Sequence, residues 1–175
     1  MPKDSIYFSN YTRSGFAFML YLISLCPDLP IFQSSHNIQN RRRSLTIVRD
    51  PKDVVASSII NNYENVSILS ETIEEEKEKY INFYKEISKQ QDLIVIDFND
   101  ITMKTEETME AIHDILGLPF SMSDRDKNMT FNLDGHLHTS KTHPKYQSIK
   151  QENDLTDYIN VYLEYEKIMK RKLIA

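Results

Sequence analysis

The most constraining feature of this 175-residue chain is the stretch Leu45–Ile60, LTIVRDPKDVVASSII. Leu45, Ile47 and Val48 form a short apolar, β-branched run of the kind that buried strands use. Arg49 ends the run. Asp50 stands before Pro51, an N-cap residue followed by one already set for the first helical position. From there Val54, Val55, Ser58 and Ile59 recur at helical spacing. The stretch therefore reads as strand, tight turn and helix. Arg49 lies at the C-terminal end of the strand, and Ser57 lies about two turns into the helix. Open α/β sheets bind ligands at that edge. An ordinary strand-to-helix connection with a surface arginine has the same local pattern.

The rest of the chain repeats the alternation. Ile6-Tyr7-Phe8 reads as a first strand, Asn10–Gly15 as a loop, and Phe16–Leu25 as an apolar helix that stops near Pro27. Leu29–Phe32 reads as a second strand, followed by the polar run Gln33–Asn37, and Asp92–Phe98 as another buried strand. Glu71–Lys89 is a charged helix with Tyr80, Phe83, Tyr84 and Ile87 on one face. Its Glu/Lys run reads as a solvated face with pairs such as Glu75–Lys79. A further helix carries Met109, Ile112, Ile115 and Leu116 on one face and closes at Gly117, with Pro119 close behind. His113 lies beside that face and reads as structural or exposed. Ser121–Gln151 has little periodicity. Asp154–Lys172 reads as a closing helix with Leu155, Tyr158, Ile159, Tyr162 and Met169 inward, its basic end Lys170-Arg171-Lys172 suiting the helix dipole. Strands alternating with helices predict a parallel sheet covered on both faces, in one domain spanning residues 1–175.

Composition narrows the function classes. Net charge is −5, from 21 Lys+Arg against 26 Asp+Glu, which argues against a general nucleic-acid binder. An anionic ligand must then be held by local basic groups. No apolar run approaches a membrane span, no signal peptide is visible, and a single cysteine, Cys26, suits a reducing compartment. The expectation is a cytoplasmic protein without membrane partners. Three glycines are too few for a multi-glycine dinucleotide fingerprint, and GxxxxGK[ST] is absent.

Three segments, in order, resemble the sulfotransferase family. RDPKDVVAS is similar to its 3′-phosphate-binding segment, an arginine after a strand followed eight residues later by a serine, here Arg49 and Ser57. The loop Arg13-Ser14-Gly15-Phe16-Ala17-Phe18 resembles the family's 5′-phosphosulfate loop, usually Pro-Lys-Ser-Gly-Thr-Thr-Trp. Arg13 takes the place of the lysine and Phe18 that of the tryptophan, which stacks on adenine. Phe16 and Ala17 replace two threonines whose hydroxyls bind the 5′-phosphate. Phe98-Asn99-Asp100-Ile101, ahead of Leu116-Gly117-Leu118-Pro119, resembles a later strand-and-helix block in which Phe98 would touch the adenine. His36, in Ser-Ser-His, resembles the family's general base after the second strand. Ser140 and Lys141 are the candidates for a late loop that closes over the 3′-phosphate.

The resemblance implies a three-layer αβα protein with a short parallel sheet, the P-loop-like sulfotransferase fold. It implies transfer of a sulfuryl group from 3′-phosphoadenosine-5′-phosphosulfate (PAPS) to a hydroxyl or amine of a small-molecule or saccharide acceptor, with adenosine 3′,5′-bisphosphate (PAP) as product and no metal. In that scheme Arg13 stabilises the leaving phosphate and His36 takes the acceptor's proton. Two other readings stand beside it. One is a P-loop-type kinase. The other is a catalytically degenerate domain that binds a nucleotide or a partner, which the loss of both loop threonines favours. His136, His138 and His143 also allow a metal site, and His36 allows the plain reading of a surface histidine.

Overall fold

The computed structural model describes residues 6–11, 13–15, 19, 22, 26, 31–35, 43–62, 69–121 and 145–174. Within these, β1 (Ile6–Ser9), β2 (Ile31–Ser35), β3 (Ser44–Val48) and β4 (Leu93–Asp97) form one parallel sheet in the order β2-β1-β3-β4. The helices are α1 (Pro51–Asn62), α2 (Leu69–Ile87), α3 (Phe98–Met103), α4 (Thr105–Leu116), α5 (Tyr146–Leu155) and α6 (Ile159–Met169).

Successive side chains of a strand point to opposite faces, so an apolar strand in a parallel sheet feeds two cores. Leu45, Ile47, Ile94 and Ile96 join Ile6, Phe8, Met19 and Leu22, together with Ile101, Met109 and Ile112 of α3 and α4. Val48, Leu93 and Val95 join the apolar sides of α1, α2, α5 and α6. The sheet is therefore covered by helices on both faces, as the alternating pattern predicts. The far edge of β4 is met by the residues that follow α6. Leu173 N donates to Val95 O at 2.8 Å, and Lys172 bridges Val95 in parallel. The basic run after α6 does more than complement a dipole. Arg171 donates to the carbonyls of Ser88 (2.9 Å) and Gln90 (3.0 Å), and Lys172 pairs with Asp100 at 3.3 Å.

Several expectations need correction. β2 runs on to Ser35 through the polar residues Gln33 and Ser34, which hide it; it lies at the sheet's other edge, where polar residues are tolerated. The closing helix is two helices. α5 begins at Tyr146, inside the stretch that lacks periodicity, and the chain turns extended at Thr156. Asp157 Oδ1 then accepts from Ile159 N at 2.9 Å and starts α6. This break leaves Leu155 79% and Ile159 68% exposed instead of inward. On α4, Ile115 is exposed too, whereas His113 is buried, its Nδ1 donating to Met109 O at 2.7 Å. The Glu/Lys run of α2 is not wholly solvated. The pair Glu75–Lys79 forms at 3.2 Å, but Glu76 and Lys77 are buried. Glu76 accepts from Ser58 Oγ at 2.6 Å and Lys79 Nζ at 2.9 Å; Lys77 pairs with Glu74 and donates to Asp157 O. Buried charges persist only when paired in this way.

Among the described residues no helix is long and apolar enough to cross a membrane.

The β3–α1 turn forms as the sequence dictates. Asp50 Oδ1 accepts from Lys52 N (2.9 Å) and Asp53 N (3.4 Å), while Oδ2 accepts from Tyr162 OH of α6 (2.8 Å). Asp50→Ala removes both the cap and the tie to α6, an expected loss of about 1–3 kcal/mol in urea denaturation. Asp50→Asn, which caps equally well, should recover most of it. An alanine variant as stable as the parent would show that neither contact matters.

Candidate functional site

The pairing of β1 with β3 covers only Tyr7↔Ser44 and Phe8↔Leu45, whereas β3 stays paired with β4 as far as Val48↔Asp97. β1 and β3 thus part towards their C-terminal ends. Ile47 N, left without a backbone acceptor there, donates to Asn10 Oδ1 at 3.0 Å. In the order β2-β1-β3-β4, β1 leads to a neighbour on one side and β3 to a neighbour on the other. That is a topological switch point, where ligands of open α/β sheets bind. The Asn10–Gly15 loop and the Arg49–Asp50 turn meet across it.

The loop has an unusual backbone. Ser14 N donates to Tyr11 O at 3.3 Å to close a turn, and Met19 N donates to Gly15 O at 3.0 Å with helical spacing. Arg13 is left-handed at φ 65°, a conformation that non-glycine residues adopt at a cost. Gly15 has φ 104°, and a Cβ added there would lie 2.8 Å from Phe98 Cδ2. Glycine is thus needed twice over at this position, for the backbone and for the close approach of the Phe98 ring.

Arg49 is fixed from several sides. Its Nη1 donates to Arg13 O at 3.2 Å, its Cζ lies 4.8 Å from the Phe98 ring centroid, and Nη2 is 3.7 Å from Asp53. Its carbonyl accepts from Tyr80 OH at 3.0 Å. Tyr84 OH donates to Ile47 O at 3.1 Å and lies 3.4 Å from Ser14 Oγ. Burial pushes the phenol pKa of both tyrosines far above the ordinary value, so they remain neutral donors. Arg49 Nε is buried and has no acceptor among the described residues. Such a donor costs about 1–3 kcal/mol while it is unsatisfied.

Half-buried Arg13 shares the crevice. Its Nε donates to Ser57 Oγ at 3.0 Å, and the Asn61 amide lies against the guanidinium. Burial, and after it the charge of Arg49, lowers the Arg13 pKa. Burial likewise lowers that of Arg49, opposed by Asp53, Asp50 and Tyr146. Among the described residues Arg13 therefore rests on neutral partners beside a second cation. Such a pair could hold an anion, since a guanidinium offers a planar fork to phosphate or sulfate oxygens and the Ser57 hydroxyl lies alongside.

The structure brings Arg13, Ser14, Gly15, Arg49, Ser57 and Phe98 together, from four separate segments of the chain. Two of them have occupations that the sequence does not announce. Ser57 accepts from Arg13, and the Phe98 ring lies against Gly15 and near the Arg49 guanidinium. Phe16, Ala17, Phe18, His36, His136, His138, Ser140, Lys141 and His143 lie outside the described residues. Among the described residues no group of three or more His, Cys, Asp or Glu could hold a metal ion. Asn10, Asn61, Tyr80 and Tyr84 are contributors that sequence reasoning misses. The one available signal was chemical: a tyrosine on a buried helix face must find a partner for its hydroxyl.

Gly15→Ala should destabilise the protein by about 1–3 kcal/mol, from backbone strain plus the collision with Phe98. Adding Phe98→Leu should relieve the collision and leave the strain, giving a coupling of about 0.5–3 kcal/mol in a double-mutant cycle by thermal denaturation. Strictly additive effects would contradict the contact.

Comparison with protein-family models and with curated proteins finds no match. The functional reading rests on the groups at the crevice themselves.

Proposed function

We propose that this protein is a PAPS-dependent sulfotransferase of the P-loop-like fold. The observation that carries the reading is the Arg13–Arg49 pair at the β1/β3 switch point: two cations near each other, one with a buried N–H that has no acceptor among the described residues, beside Ser57. A doubly phosphorylated adenosine fits it, because a dianionic phosphate removes the repulsion and supplies the missing acceptor. The order of the three resembling segments supports PAPS over other anions. Arg49 and Ser57 take the 3′-phosphate. The backbone of the loop after β1 faces the 5′-phosphosulfate. Phe98 holds the Arg49 plane.

In the reaction, an oxygen or nitrogen of the acceptor attacks the sulfur in line. The bond from sulfur to the 5′-phosphate oxygen breaks, and PAP leaves with that electron pair. His36, which follows β2 in the sequence, takes the acceptor's proton. Neutral imidazole is the form that can take that proton.

The test is PAP release from PAPS in the presence of small alcohols, amines and saccharides. Turnover is expected, and His36→Ala should lower it by roughly 100- to 10,000-fold with PAP binding intact. PAP at about 100 times its Kd should stabilise the protein by about 2.7 kcal/mol. Stabilisation without PAPS consumption by any acceptor would favour the degenerate nucleotide-binding reading. The absence of both turnover and stabilisation would remove the proposal.

A further inference from the structure

The helices α2 and α6 run parallel. Lys77 of α2 donates to the carbonyl of Asp157, just ahead of α6, and Arg171, just past α6, donates to the carbonyl of Ser88, just past α2. A groove lies between the two helices, with Glu78, Ile81 and Lys85 on one side and Leu163 and Lys167 on the other. Leu163 is 50% exposed, and Ile159, one turn earlier, is 68% exposed. We propose that a second copy of this chain docks on this groove, as a two-fold dimer with α2 antiparallel to α2 and α6 antiparallel to α6. The association does not depend on what the crevice between β1 and β3 binds.

Exposed apolar side chains mark a contact without naming its occupant. Here the charges choose. Towards the N-terminal ends of the two helices stand exposed Glu78 and Asp157; towards the C-terminal ends stand exposed Lys85, Lys167 and Lys170. Lys79 and Glu86 run against this pattern, and each is paired on its own helix, with Glu75 at 3.2 Å and with Lys89. Among the described residues Glu78, Lys85 and Lys170 have no such pair. A partner of one charge sign would gain at one end of the groove and lose at the other. A face with an acidic end and a basic end complements its own inverted copy. The two-fold axis of such a dimer has two simple orientations in the contact plane. Laid along the helices, it sets α2 of one copy on α6 of the other, acidic end on acidic end. Laid across them at the level of Ile81 and Leu163, it sets each helix antiparallel on its counterpart. Glu78 and Lys85 lie three and four positions either side of Ile81, so Glu78 faces Lys85 of the partner subunit. Asp157 and Lys170 lie six and seven positions either side of Leu163 and meet in the same way. Of the two axes, the crosswise one joins unlike charges around an apolar centre, and near-antiparallel helices pack well.

The experiment is analytical ultracentrifugation of the full chain at low salt over a range of concentrations. The variants are Leu163→Asp, Glu78→Lys, Lys85→Glu and the double variant Glu78→Lys with Lys85→Glu. All three positions are exposed, and circular dichroism checks that each variant is folded. The parent should dimerise, and Leu163→Asp should leave a monomer. Each single charge reversal sets like charges opposite each other across the axis and should weaken the dimer by roughly 10- to 100-fold. The double variant makes the facing charges unlike again, although the two sites lie about 10 Å apart along their own helix. It should recover most of the lost affinity. A dimer that Leu163→Asp leaves intact, or that the double variant does not restore, would overturn the proposal. So would a monomeric parent. If Leu163→Asp then lowered the melting temperature, another part of the same chain would be the occupant; if it did not, the groove would be left to a different protein.

Discussion

The site depends on one contact: the Arg49 guanidinium donating to the carbonyl of Arg13 across the gap between β1 and β3. It joins the two turns that the sheet topology brings to the same edge. It also fixes two cations near each other, a state that an unliganded protein tolerates only because much else holds it. A left-handed arginine, a glycine at φ 104° and a buried N–H without an acceptor among the described residues all lie within this small region. The left-handed arginine and the unsatisfied donor each cost on the order of 1–3 kcal/mol, and the glycine conformation is one that other residues rarely adopt. Strain concentrated where an anion would relieve it is the pattern expected of a binding site.

The support comes from the helical layer of α1 and α2. Tyr80 and Tyr84 hold the carbonyls of Arg49 and Ile47, so the end of β3 cannot drift from α2. The ring of Tyr11, from the loop after β1, packs against Tyr80, Phe83 and Tyr84, and its hydroxyl reaches the Glu76 carboxylate at 3.5 Å. Glu76 also takes Ser58, the neighbour of Ser57. A buried carboxylate thus connects the loop, α1 and α2 on one side of the crevice, while Phe98 and Gly15 close it on the other. The rigidity of the arginine pair follows from this surround, because a side chain as long as arginine loses much rotamer freedom when it is fixed.

Much of the fold was legible because its signals are local. Leu45–Val48 and Leu93–Asp97 are continuous apolar runs, Asp50-Pro51 is a cap and a start, and Gly117 is a left-handed stop at φ 64°. β2 was half legible, since Gln33, Ser34 and Ser35 carry no strand pattern and owe their conformation to pairing with β1. The break between α5 and α6 was illegible, because Leu155 and Ile159 have the spacing of a buried stripe and yet face outward. Site residues were legible as types and as turns, but not as pairs. Nothing in Thr-Arg-Ser-Gly says that Arg13 turns to Ser57, because that partner lies 44 positions further along the chain. Glu76 looked solvated for the same reason: its partners Tyr11 and Ser58 are distant in sequence.

The central claim is that the paired guanidiniums receive a phosphate. Phosphorus NMR of bound adenosine 3′,5′-bisphosphate, titrated with pH, reads this directly, because each phosphate reports its own ionisation. The second pKa of a free phosphate monoester lies near 6, and cations alongside favour the dianion and so lower it. The account predicts that the 3′-phosphate stays dianionic well below that pH when bound, and that Arg49→Ala moves its titration back towards the free value. A bound 3′-phosphate that titrates like the free nucleotide would contradict the account.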